Sequence, residues 1–187
     1  MASRYTNAPK EVTALAQSVM KKFHPDLDTH DVKIDILMAF AAENDAGEKV
    51  SCALRIHGYQ ANALTKIVNL PNRVKGCGDA EIMLDGDIWD DLSEARQRAV
   101  LDHQLHFLVV RKNHEGSVIE DTHGRPKLSM RQYDRTAGWF DAVAKRNGVD
   151  SIEVEQAKHL FEVAGQIYFG FLNPELKGLD APDEGAE

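Results

Sequence analysis

The stretch Asp90–Val110, DDLSEARQRAVLDHQLHFLVV, decides how the rest of the chain is read. Its apolar residues recur at helical spacing and Asp91-x-x-Glu94 has the form of a capping box, which predicts a helix over about 91–110. Leu92, Ala99, Val100, His103, Phe107 and Val110 fall on one face, and Leu101, Leu105 and Leu108 on the opposite one. A helix apolar nearly all round is expected to lie buried between layers at the centre of the fold. His103 and His106 sit on it ~60° apart by the helical repeat. The plainest expectation for both is a buried, neutral, hydrogen-bonded imidazole, with Tyr133 or Asp134 as partner, because buried polar groups need partners.

Towards the N-terminus, Val12, Leu15, Ala16, Val19 and Phe23 form one apolar stripe and predict a helix over 8–24. Asn7 is a candidate cap, and Pro9 suits the first turn. His24-Pro25 ends it, because the residue before a proline is pushed out of the helical region, and His24 then stands as a helix-end histidine. Val32, Ile34 and Ile36 alternate into an apolar run, so 31–42 reads as a strand. The turn 44–47 returns the chain as a second strand over 49–56, a hairpin pattern. Residues 59–70 read as a short helix on Ala63, Leu64, Ile67 and Val68, ended before Pro71, and 80–84 as a third strand.

Beyond the central helix, 113–125 is a polar excursion whose His114 and His123 read as solvated, and 127–130 is a short strand. A helix follows over 134–146, with Asn147-Gly148 as its C-cap signal, then a last helix from Asp150 to about Phe171. His57 and His159 belong to no recognisable constellation, and Trp89, Trp139, Phe140, Phe161 and Phe169 read as core aromatics. The sum is an α+β fold, helices packed on a small mixed or antiparallel sheet, with one domain over 1–172 and an acidic, disordered tail over 173–187.

The net charge is −8, and residues 174–187 carry five acids and one lysine, which accounts for −4 of it. The mildly acidic body argues against bulk binding to a phosphate backbone. A local basic rim remains available in Arg111, Lys112, Arg125, Lys127, Arg131 and Arg135, although interspersed acids make a solvated surface the simpler reading. Cys52 and Cys77 form no metal-type pair and no disulfide framework, as suits a reducing compartment. The N-terminal residues lack the apolar core of a signal peptide and no apolar run approaches ~20 residues, so a cytoplasmic protein without a membrane partner is expected.

Two histidines at i and i+4 on a helix, with a glutamate directly after the first, bind and use zinc in the zincins. This chain resembles the putative phage metallopeptidase family, a zincin-like group, over roughly Lys10 to Gly148. The resemblance is carried by KKFHPDL, GDIWDDLSEARQRAVLDHQLHF, GRPKLSMRQYD and GWFDAVAKRNG. The family pattern D-H-E-L-x-H, followed by a basic stretch with His-Asp, implies a zincin-like fold and a metal site. Asp102, His103 and Leu105 match it. Gln104 stands at the position of the general base, Phe107 at that of the second histidine, and Tyr133 at that of the third ligand. An amide does not deprotonate zinc-bound water and a phenyl ring does not bind a metal, so no catalytic set is expected intact and no cofactor is expected.

The resemblance therefore implies a phage or prophage protein, working in the host cytoplasm, that keeps the fold as a non-catalytic module for binding a host or phage protein, in counter-defence for example. Two alternatives stay open. One is a metal-dependent hydrolase with a rearranged zinc site on His103 and His106, with Tyr133, Asp134, His114 and His123 as further ligand candidates. The other is a DNA-associated accessory protein that uses the basic rim.

Overall fold

The computed structural model describes residues 4–56, 59–133 and 140–168, with the backbone alone described at 141 and 163–168. The chain forms two compact units, Met1–Gln132 and Tyr133–Glu187. In chain order the first contains β1 (Arg4–Asn7), α1 (Lys10–Phe23), α2 (Pro25–Thr29), β2 (Ile34–Phe40), β3 (Arg55–Ile56), β4 (Tyr59–Gln60), β5 (Ala63–Ile67), α3 (Leu70–Val74), β6 (Ala80–Asp85), α4 (Glu94–His106), β7 (Leu108–Val110) and β8 (Leu128–Met130). The described part of the second unit contains α5 (Asp141–Asn147) and α6 (Ile152–Tyr168).

Four strands form the main sheet in the order β1-β2-β6-β5. β2 and β6 run parallel, Ile36 opposite Ile82, while β1 and β5 pair antiparallel on the outside. The sheet is therefore mixed, and the architecture is α+β. Ala80, Ile82 and Leu84 of β6 share one face and are wholly buried, while Glu81 and Met83 on the other face are half-buried. Val12, Ala16 and Val19 of α1 and Val100, Leu101 and Leu105 of α4 share one core with Ile36, Met38, Ala63, Ile82 and Leu84. A smaller apolar cluster joins Ala39, Ala53 and Leu54 to Leu64 and Met83. Among the described residues, no helix is long and apolar enough to cross a membrane.

Several local expectations give way. The segment read as a helix over 59–70 is strand β4, strand β5 and the start of α3. Ala63, Thr65 and Ile67 alternate against β6, and the β-branched residues among them favour a pleated surface. Pro71 opens α3 instead of ending a helix, behind Asn69, whose side chain accepts a hydrogen bond from the Asn72 backbone N–H. Asn7 does not cap α1 but belongs to β1, a strand the sequence pattern did not predict. The strand expected over 49–56 shrinks to β3 and an isolated bridge between Glu43 and Lys49.

The central helix is shorter and more one-sided than 91–110. Asp91 is taken up in a 3-10 turn (Trp89–Asp91), so α4 begins after Ser93, whose Oγ accepts from the Arg96 N–H. It ends at His106, and Leu108–Val110 continues as β7. Only Val100, Leu101, Gln104 and Leu105 are buried on it, which is a single face.

Trp89 is buried as expected, but Phe140 and Phe161 are exposed and do not serve as core. Trp139 and Phe169 lie outside the described residues, as do His57, Asp134, Arg135 and the acidic tail.

Candidate functional site

The candidate site is the C-terminal half of α4 and the elements that meet it. His103 and His106 are both exposed, contrary to the expectation of buried imidazoles. The face opposite them supplies the core contacts, so the side chains on their own arc of the helix are turned outward. The Phe107 ring packs edge-on against His103, with centroids 5.1 Å apart, in the one-turn position where a second imidazole would share a metal.

Gln104 is buried, at 6% exposure, and faces the sheet. The Thr65 hydroxyl donates to its Oε1 at 2.9 Å and lies 3.2 Å from its backbone carbonyl. Thr65 points this way because it stands opposite Ile82 on the core side of β5. The residue after the first histidine thus holds helix to strand, which matches the rule that buried polar groups find partners.

A second cluster lies beside it, and the sequence reading did not foresee it. His24, at the junction of α1 and α2, has a side chain only 8% exposed, and its Nε2–H donates to Asp102 Oδ1 at 2.7 Å. Its ring lies 5.8 Å from that of His106. Arg131, directly after β8, donates through Nη1 to His106 Nε2 at 3.1 Å. A guanidinium only donates, so in this arrangement His106 Nε2 is the acceptor and its proton is on Nδ1. The signal was present in KKFHPDL, but nothing local links position 24 to position 102.

These residues were tested against zinc held in the zincin manner. One turn on from His103 stands a phenyl ring, the residue directly after His103 is an amide engaged with Thr65, and Arg131 donates to the Nε2 lone pair of His106. The donor set at these positions does not fit the ion. Among the described residues, no three His, Cys, Asp or Glu side chains converge so as to hold a metal. Of the further ligand candidates, His114 and His123 are exposed on the 113–125 excursion, and Tyr133 is exposed and belongs to the second unit. A cleft of about 400 Å³ beside α1 and β2, lined by Ala16, Met20, Val32 and Leu105 among others, contains none of the histidines.

Two members of the basic rim pair with carboxylates, and a third is hydrogen-bonded to a histidine. Lys112 reaches Asp26 at 3.1 Å. Arg125 bonds Asp79 at 2.9 Å and the Cys77 carbonyl at 3.1 Å, and Arg131 is held at His106. Arg125 belongs to a buried network in which Arg73 bridges Asp79 and Asp121 and also donates to the Pro126 carbonyl. That network pins the excursion to α3 and to the start of β6. Burial raises the Asp121 carboxyl, but the N–H groups of Arg125 and His123 with the Arg73 charge outweigh it and hold it below the usual range.

No curated protein and no solved structure matches the chain. A family model described as putative phage metallopeptidase matches residues 3–163, from ahead of β1 into α6. That span takes in the whole of the main sheet, α4 and the histidine cluster. The chain belongs to the putative phage metallopeptidase family.

Proposed function

We propose that this protein is a non-catalytic, zincin-like member of its family that acts by binding another protein. The observation that carries the reading is Gln104. The residue in the place of the general base is an amide, buried and hydrogen-bonded to Thr65, so it has neither the chemistry nor the freedom to take a proton from water. The Phe107 ring against His103 supports the same reading. Kept without its chemistry, the fold offers a rigid surface, and a host or phage protein in the host cytoplasm is its proposed partner.

A hydrolase rearranged around His103 and His106 is the competing reading. It requires a metal to displace Arg131 from His106 and a base that neither residue provides. A DNA-associated role retains Arg111, Lys127 and Arg131 as exposed rim cations without an ion pair among the described residues. The proposed and the hydrolase readings are separated on the purified full chain, by elemental analysis after growth with added zinc and by cleavage of unfolded protein substrates. The expected outcome is substoichiometric zinc and no cleavage. Stoichiometric zinc whose removal by a chelator abolishes cleavage would overturn the proposal.

A further inference from the structure

β7 and β8 form an antiparallel ribbon with Leu108 opposite Met130, Val109 opposite Ser129 and Val110 opposite Leu128. Side chains directly opposite each other share a face, and successive residues alternate between faces. Leu108, Val110 and Leu128 are buried and hold one face to the core. On the other face stand Val109 with Ser129 and Arg111 with Lys127, and Arg131 follows Ser129 by two along the chain. The Arg111 N–H donates to the Lys127 carbonyl and the Arg131 N–H to the Phe107 carbonyl, so backbone pairing extends one residue past each end of the ribbon. All three cations of this face are exposed. None of these five positions is acidic, whereas the chain as a whole carries −8. Lys112, on the opposite face, is neutralised by Asp26.

Building on the protein-binding reading, we infer that the outward face of the β7–β8 ribbon is a docking surface for an extended acidic segment of a partner protein. Lys127 and Arg131 are four residues apart on one strand, ~13 Å by strand geometry, so an extended partner segment with acids four residues apart meets both. Arg111, opposite Lys127, doubles the charge at one end and gives the segment a direction. Val109 and Ser129 leave a nearly neutral middle row for a small side chain. Charge complementarity favours such a segment over a nucleic acid, because three cations on an acidic chain do not offset the repulsion of a continuous polyanion.

The test uses the full chain and a short extended peptide with aspartate at every fourth position, followed by amide chemical-shift changes and fluorescence anisotropy. Saturable shifts confined to 107–111 and 127–131 are expected. Arg111→Glu with Lys127→Glu should weaken binding by about tenfold or more, and a peptide with lysine in place of aspartate should recover it. Lys21→Glu with Lys22→Glu, on exposed α1 positions, should leave binding within about twofold. Equal losses from the two double variants, no rescue by the lysine peptide, or tighter binding of a short DNA duplex than of the peptide would each overturn the inference. None of these results bears on zinc content or cleavage, so the two proposals fail separately.

Discussion

Gln104 shows how one side chain links the site to the fold. Its amide satisfies Thr65 inside the core, so a carboxylate there faces burial as well as a changed partner. Gln104→Glu is expected to cost about 1–3 kcal/mol in urea unfolding at neutral pH and less near pH 4, where the introduced acid is protonated. Equal losses at both pH values would show that the position is more solvated than described. Gly86 is a second constrained position, since a Cβ there would lie 2.6 Å from the Phe40 ring. Gly86→Ala should destabilise by about 1–3 kcal/mol, and Phe40→Leu should recover part of that loss in the double-mutant cycle. That an amide directly follows His103 was legible in the sequence, but its burial was not. Thr65 sits in a segment whose apolar spacing fits a helix and a strand about equally, and only pairing with β6 decides between them. His24 was hidden for a related reason, because its partner lies on another element far along the chain.

At the scale of elements, α1, β2, β6 and α4 were legible because their apolar periods are long and unambiguous. Their ends were not, because only in three dimensions does Ser93 rather than Asp91 cap α4 and does β1 take up Asn7 ahead of α1. The excursion between β7 and β8 read as a loop, yet its anchor could not be read, since Arg73, Asp79, Asp121 and Arg125 come from three separate segments. Asp79→Ala, which leaves Arg73 buried without its closest carboxylate, should cost about 3–5 kcal/mol. Arg125→Ala, at a more exposed member, should cost about 1 kcal/mol. Comparable losses would mean that the network does not centre on Asp79. Asp85, at the end of β6, is raised above its ordinary 3.8 by burial. The Asp87 N–H opposes the shift and the Asp87 charge adds to it, while Gln60 and Lys49 lower it. A raised acid stabilises the fold below its unfolded pKa, and that contribution is lost as pH rises through the folded value. Asp85→Asn should therefore flatten the decline in stability between pH 4 and neutrality. An unchanged slope in unfolding midpoints across that range would assign the decline to other groups.

At the scale of the whole molecule, the family and the α+β class were legible together, because the same segments that build the sheet and α4 carry the resemblance. The surface chemistry was less so. Six basic residues looked alike in sequence, and the fold pairs Lys112 with Asp26 and Arg125 with Asp79 but leaves Arg111, Lys127 and Arg131 exposed. Topology also sets what a part of the chain can do alone. A fragment ending before Ala80 lacks β6 and should show no cooperative unfolding by circular dichroism, whereas a fragment ending at Gln132 should unfold in one transition. Cooperative unfolding of the shorter piece would contradict the central place of β6. The parallel pairing of β2 with β6 joins Ile34 to Ala80, so the middle of the sheet closes only after the intervening segment has been made. On the ribosome, β2 must therefore wait with one apolar edge unpaired until β6 leaves the exit tunnel. In that interval the nascent chain is most exposed to mispairing and to chaperone capture, and the pace of translation across 41–79 sets how long it lasts.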